Sequence, residues 1–287
     1  MKSALRIFDR VGAPLLTGLA TAFFVMETIH DLRKRKQDRW QRLKTNSSIA
    51  TVGLAGLRGA LLPAMLSGSA WTVQKRFGLL QRLPLPRWLQ GVLAFVLLDY
   101  SNYLWHRLNH QCPFLWRFHN VHHTDLDLDI STAWRFHAGE VLLSIFFRGG
   151  MIVLIGASPR QVITYEILYE GATAFHHSNW KLPFAIEKVL NKLMVTPRMH
   201  GIHHSIVLRE TNSNYSVIFS AWDRLHGTVR LNVPQQEIVI GVPAYRSTAE
   251  ENVRFLLILP FRPQREWKLP DGSIPERNAS GNLTQLL

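Results

Sequence analysis

The sequence predicts an all-α membrane protein with about four transmembrane helices, and three observations predict it. Charged residues are only 18% of the 287 and hydrophobic residues 47%, whereas charged residues make up about 25% of a soluble domain. Four long apolar runs punctuate the first half of the chain. Trp71, Trp88 and Trp105 sit at the ends of those runs, where amphipathic rings favour the membrane interface.

The first run, about Gly12 to Ile29, holds one acid, Glu27, near its end. The second, Ser48 to Trp71, is interrupted by Arg58 and Pro63. The third, Trp88 to Trp105, has an unbroken apolar centre from Val92 to Leu98. The fourth, Val141 to Ala157, contains Arg148, Gly149 and Gly150. Spanning a bilayer takes about 20 mostly apolar helical residues; the first and third runs meet this outright, the second and fourth with those interruptions. A weaker fifth stretch, Val162 to Phe175, carries Glu166 and Glu170 and reads as either a re-entrant segment or a buried helix. Arg148 reads as a polar-lipid contact or as the mark of a partial span, because a mid-membrane arginine is costly unless it meets protein, water or a headgroup. The first run is too long for a cleaved leader and lacks a clear small-residue cleavage site.

Orientation follows from charge. The first linker, Asp31 to Lys44, carries seven Lys and Arg, and the linker between the second and third runs carries Lys75, Arg76, Arg82 and Arg87. Seven against four places the first linker in the cytoplasm. Counting onward, every histidine cluster then falls on the cytoplasmic face. The organisation expected is an N-terminal transmembrane region, 1–105; a histidine-rich catalytic region, 106–230, including a membrane hairpin at about 141–176; and a C-terminal cytoplasmic segment, 231–287. Ser216–Thr228 and Glu237–Val242 have some strand character, and the tail from Pro263 reads as irregular. The Asn278 and Asn282 glycosylation triplets are chance matches on a cytoplasmic tail.

The net charge of +13 suits an anionic membrane surface rather than nucleic acid, given the apolar runs. One cysteine, Cys112, excludes a disulfide framework, a Cys-rich zinc module and a self-contained iron–sulfur cluster. Histidine is the anomaly. Of thirteen, twelve lie between His106 and His226. His106 and His110 form HxxxH. His119, His122 and His123 form HxxHH, and His200, His203 and His204 form a second HxxHH. His177 follows His176 in a separate pair. Residues three and four apart share a helix face, so each cluster aims its imidazoles at one place. Asp99, Tyr103, His106 and His110 line one stripe.

Imidazole suits iron, zinc, copper and nickel. Nine histidines (His106, His110, His119, His122, His123, His177, His200, His203 and His204) exceed what one metal uses and match two metals with four or five ligands each. His137 and His176 are further possible ligands; His30 and His226 are not expected to bind. The acids Glu140, Glu166 and Glu170 are scattered, unlike the Glu-x-x-His pattern of carboxylate-bridged bundles. A zinc-dependent membrane hydrolase is the competing enzyme class, and a metal carrier the non-enzymatic one.

These residues resemble the fatty acid hydroxylase / sterol desaturase superfamily of membrane di-iron oxygenases. The resemblance runs from Asp99 to Thr228. It is carried by Asp99-Tyr-x-x-Tyr103-x-x-His106-Arg107-x-x-His110, Pro113-x-Leu115-Trp116-x-x-His119-x-x-His122-His123, Arg135-x-His137-x-x-Glu140 and Phe175-x-His177-Ser-Asn179. Pro197-x-x-His200-x-x-His203-His204, Asn212-x-Asn214-Tyr215 and Trp222-Asp223-Arg224-Leu225-x-Gly227-Thr228 complete it. The chain departs from the family at Ala138, where proline is common, at His226, where an aromatic is usual, and at Thr173, where some relatives have another histidine.

The resemblance implies a small transmembrane bundle capped on its cytoplasmic side by helices that carry the histidine boxes. It also implies two iron ions, which zinc can replace on purification, and no catalytic residue beyond the metal ligands. Asp99, Glu140, Asn179 and Asp223 become candidates for orienting ligand imidazoles. The implied reaction is dioxygen-dependent hydroxylation or desaturation of a lipid, whether sterol, fatty acyl chain, carotenoid or aminolipid. It consumes two electrons. The sequence holds no Gly-rich dinucleotide fingerprint, cysteine set or haem domain, so a ferredoxin- or cytochrome-type donor with its reductase is the expected partner. The absence of fused electron-transfer domains points to a bacterial cytoplasmic membrane rather than the endoplasmic reticulum.

Overall fold

Six long helices organise the computed structural model, which describes residues 2–277. Helix α1 runs from Lys2–Ile7 through a π-helical turn, Phe8–Gly12, into Ala13–Ile29. Helix α2 repeats this design: Arg39–Gly56, a π turn at Leu57–Leu61, then Leu62–Lys75. Each π turn lies just before a proline, Pro14 or Pro63. A helix-interior proline lacks the N–H that the preceding turn would accept, and the backbone widens there instead of breaking. Helix α3 is Arg87–Gln111 and α4 is Pro113–His123. Helices α5, Ala138–Ile155, and α6, Pro159–His177, form a hairpin.

Local chemistry sets these boundaries. Asp38 caps α2 by accepting the Gln41 N–H at 2.7 Å. Pro113, Pro159 and Pro197 each open a helix, where the missing N–H is harmless. Gly156, at φ +77°, ends α5; a Cβ there would meet the Phe77 carbonyl at 3.0 Å. Ser158 and Gln161 then cap α6 reciprocally. Short helices follow, among them α7, Pro197–His203; α8, Ala221–Leu225; and α9, Val253–Ile258.

The all-helical expectation holds: among the described residues there is no strand. Ser216–Thr228 and Glu237–Val242 make only single bridges, Met194 to Phe219 and Ser205 to Ile240. Asp223 accepts the Tyr215 and Ser216 N–H groups at 2.8 and 2.9 Å. That bends the first segment into α8 and removes the donors a strand would offer. The tail is irregular to residue 277, and both glycosylation triplets lie outside the described residues.

Among the described residues, three helices are long and apolar enough to cross a membrane: Ala4–Ile29, Arg39–Arg82 and Ala138–Ile155. They make this an integral membrane protein. Helix α3 falls short because Asp99, Ser101, Asn102, His106, Asn109 and His110 follow its apolar first half. Val25, Leu54, Phe146 and Leu154 are exposed on the three apolar helices, as surfaces facing acyl chains would be. Inside, Leu61, Leu62, Met65 and Leu66 of α2 pack with Leu98 of α3, Ile152 of α5 and Ile163 of α6. Separate small cores, one around Ile49, Val121 and Leu256 and one around Leu128, Ile202 and Ile240, seat α4, α7 and the C-terminal segment.

Arg148 does not break its helix, and it lines the cavity between α2 and α5. It is buried in an unbroken α5 and makes a two-pronged ion pair with Glu166 of α6, at 2.6 and 2.7 Å, beneath the Tyr169 ring. The hairpin thus supplies its own counter-charge.

A candidate dinuclear metal centre

Four helices bring the nine histidines to one place. His106 and His110 come from α3, and His119, His122 and His123 from α4. His177 ends α6; His200 and His203 lie on α7, with His204 at its end. They sort into two groups. His106, His110, His119, His123 and His203 form one; His122, His177, His200 and His204 form the other. Within each group the candidate ligand nitrogens all lie within 4.8 Å of one another. Each HxxHH box is divided between the groups, and in opposite senses. From α4 the i, i+4 pair His119/His123 joins the first group and His122 the second. From α7 the pair His200/His204 joins the second and His203 the first. His123 stacks on His204 at 4.4 Å where the groups meet.

The donor set fits metal ions. The Nε2 atoms of His122 and His177 are 3.0 Å apart, those of His177 and His200 3.0 Å, those of His200 and His204 3.1 Å, and those of His119 and His123 3.2 Å. Metal–nitrogen bonds of about 2.0–2.1 Å bring neighbouring ligand nitrogens to on the order of 3 Å. Burial, followed by the proximity of other imidazoles, holds His122, His123, His200 and His204 well below the usual histidine range, so these rings are neutral. Each has one proton, and the Nδ1 atoms of all four have no hydrogen-bond partner. A cation at the focus of these Nε2 atoms would take their lone pairs and leave each ring's proton on Nδ1.

Other rings are held by the hydrogen bond on their second nitrogen. Nδ1 of His106 donates to the Tyr215 carbonyl at 2.7 Å, that of His203 to the Ser213 carbonyl at 2.7 Å and that of His177 to the Thr173 carbonyl at 2.8 Å. Nδ1 of His119 faces the Glu140 carboxylate at 3.0 Å. In each case Nε2 is left with its lone pair, the arrangement a metal ligand requires. Of the four residues expected to orient imidazoles, only Glu140 touches one. Asp223 acts one step back, gripping the Tyr215 N–H and thereby the strip whose carbonyl holds His106. Asp99 takes the Trp222 indole N–H at 2.7 Å and the Phe219 N–H at 3.1 Å, tying α8 to α3. Asn179 is bonded to both the N–H and the carbonyl of Arg33 and fastens the end of α6 to the first linker.

The two further histidines stand apart from both groups. His137 caps α5, its Nδ1 accepting the Gly139 N–H at 2.9 Å while Nε2 donates to the Leu257 carbonyl. His176 packs beside His200, centroids 4.2 Å apart, with Nδ1 against the Val217 carbonyl. His30 also lies outside, and His226 stacks on Tyr103.

Sequence reasoning missed the polar support beneath the boxes. Arg42, from the basic first linker, is buried and binds Asp125 at 2.8 Å and Asp129 at 2.5 Å. Arg135 donates to the Val121 carbonyl, to Thr124 and to Glu251. The Arg42 and Arg135 guanidiniums hold the Asp125 carboxyl well below its usual range, overcoming the opposing effect of burial. Three acids at alternate positions straight after the first HxxHH box were the available signal.

The fatty acid hydroxylase family model matches residues 91–228, the stretch that contains all nine converging histidines. Residues 91–228 are similar to the fatty acid hydroxylase family. The similar proteins agree with this. Ornithine lipid hydroxylase OlsE of Rhizobium tropici is 37% identical over 148 residues, 50% of this chain and 42% of that protein. The cholesterol 25-hydroxylase-like protein of Danio rerio is 30% identical over 143 residues, 47% of this chain and 53% of that protein. Alkylglycerol monooxygenase of Danio rerio is 31% identical over 179 residues, 62% of this chain and 38% of that protein. The alignments span about half or less of each relative's length. No solved structure matches the chain.

Proposed function

We propose that this protein is a membrane di-iron oxygenase that hydroxylates a C–H bond in the acyl part of a polar membrane lipid, using dioxygen and two electrons from an external donor. Desaturation is the alternative outcome of the same oxidation. The observation that carries the reading is the sorting of nine distant histidines, seven of them buried, into two adjacent groups beside one cavity. A zinc hydrolase with a single metal would use one group and leave the other without a role. The names of the relatives, all hydroxylases or monooxygenases, favour hydroxylation, and an ornithine lipid hydroxylase among them favours an aminolipid substrate.

The cavity, about 70 Å³, opens between α2 and α5. Leu54, Leu57 and Val141 give it apolar lining, Arg148 and Glu170 charged lining, and Phe136, Glu140 and Thr173 lie on the side of the histidines. Phe136 stacks on His122 at 4.5 Å and 10°. Glu140 holds His119, and the Thr173 carbonyl holds His177. That side therefore adjoins both histidine groups, and the apolar lining suits a hydrocarbon chain arriving from the bilayer. Iron bound by the two groups supplies dioxygen activation and oxidation of the C–H bond. The chain's own residues do the rest. The apolar wall aligns the acyl chain and excludes water, while Glu140 and the carbonyls of Tyr215, Ser213 and Thr173 keep the Nδ1 protons in place so that Nε2 faces inward. The histidine face lies on the cytoplasmic side of a bacterial membrane in this account.

The test is lipid profiling of cells expressing the wild type or His122→Ala. A lipid gaining one oxygen, or losing two hydrogens, only with the wild type is the expected result. Identical lipid profiles, or a hydrolysed lipid, contradict the proposal.

A further inference from the structure

A short path of aromatic rings joins the protein surface to the five-histidine group. The half-buried Trp267 lies in the C-terminal segment, its indole N–H donating to the Ile206 carbonyl at 2.8 Å. Its ring centroid is 5.9 Å from that of Trp116 on α4. Trp116 in turn lies 5.1 Å from His110 and 5.4 Å from His123. One ring therefore separates a surface indole from two candidate ligands, and the His123–His204 stack carries the contact on to the second group. The other ring path is longer. From Trp222 it needs Tyr100, Tyr103 and Tyr215 before reaching His110.

The surface around Trp267 is positive. Arg262, Arg265 and Lys268 are exposed within seven residues that contain one acid, Glu266, and Arg254 is exposed on α9. The two neighbouring acids are engaged: Glu250 with Arg265, and Glu266 with Lys268 at 2.5 Å. We propose that this patch is the docking site of an acidic one-electron donor protein of the ferredoxin type, and that Trp267 and Trp116 form the bridge by which its electrons reach the metal centre. The inference rests on the di-iron reading. Each docking event oxidises one reduced donor centre by one electron, and that electron ends on the metal pair. Two events supply one turnover, and the indoles are neither oxidised nor reduced overall. Positive rims of this kind act chiefly on encounter and its salt dependence.

The experiment uses the full chain in detergent, loaded with iron and oxidised to the ferric state before oxygen is removed. An acidic [2Fe–2S] ferredoxin is pre-reduced, and its anaerobic reoxidation by the protein is followed by absorbance. Reduced methyl viologen, small enough to need no docking site, serves as the parallel reductant. Trp267→Leu is expected to slow ferredoxin reoxidation severalfold, Trp267→Phe to recover most of the rate, and both to keep the wild-type viologen rate and iron content. The Arg262→Glu/Lys268→Glu pair is expected to raise the KM for ferredoxin and flatten its salt dependence, with kcat little changed. Equal ferredoxin rates in Trp267→Leu and wild type would overturn the inference. So would a parallel loss of the viologen rate, which marks a structural role, or a loss produced by Trp222→Leu instead. Wild-type protein that binds iron yet is reduced by neither reagent overturns the di-iron reading itself.

Discussion

Glu140 has two jobs at once, in the first turn of α5 and against His119. Its Oε1 takes the His119 Nδ1 proton, while its Oε2 is buried without a partner. Carboxylates in this position raise a ligand's basicity and fix its ring, and their loss typically weakens metal affinity by about 10- to 100-fold. Glu140→Ala is therefore expected to bind iron that much more weakly in a chelator-competition titration while keeping its fold. Unchanged affinity would assign Glu140 to helix capping alone. His137 makes the opposite case. It caps α5 without facing either group, so His137→Ala should lower stability by about 1 kcal/mol and leave metal content intact. Thermal unfolding and elemental analysis of the same sample check both halves. The spacing of the boxes picked out all nine converging histidines. It left His137 open as a further possible ligand, because a cap and a ligand present the same ring, and the difference lies in the Leu257 carbonyl that only the folded chain brings near.

At the scale of elements, the boxes are positioned by the segments around them. Arg42 of α2 reaches over to Asp125 and Asp129, and Asn46 donates to Asp125 at 2.9 Å. The loop after α4 is thereby fastened to the linker after α1. Removing one partner of such a buried pair typically costs about 3–5 kcal/mol. Asp125→Ala is accordingly expected to lower the thermal midpoint sharply, whereas Asp9→Ala, which breaks an exposed pair with Arg58, should barely move it. A similar midpoint in the two variants would refute this ranking. The linker's basic residues were legible as a topology signal and not as structural partners, since charge counting is blind to which cations are buried. The apolar centre of α3 misled in a related way. Val92 to Leu98 has the composition of a span, but the half-helix after it is committed to Asp99, Asn109 and the first two histidines. Strand character in Ser216–Thr228 gave way to a carboxylate, Asp223, that collects backbone donors from its own loop. The opposite division of the two HxxHH boxes was not legible at all. Spacing places three rings on a helix face, but only the way α4 and α7 pack decides which rings point to which site.

Across the whole molecule, apolar helices turn exposed side chains outward, a cavity enters between α2 and α5, and Phe136, Glu140 and Thr173 in its lining touch His122, His119 and His177. The all-helical class, the membrane character and the convergence of distant boxes could all be read from apolar runs and histidine spacing. The cavity and the Arg148–Glu166 pair could not, because each depends on contacts between helices. The central claim is that the nine histidines make two separate metal sites in one chain. Elemental analysis of the detergent-purified protein, reconstituted with iron, tests it directly. Wild type should hold two metal ions per chain, and His106→Ala/His110→Ala and His200→Ala/His204→Ala should each hold close to one. A single ion in the wild type, or full loading in both double variants, would contradict the account.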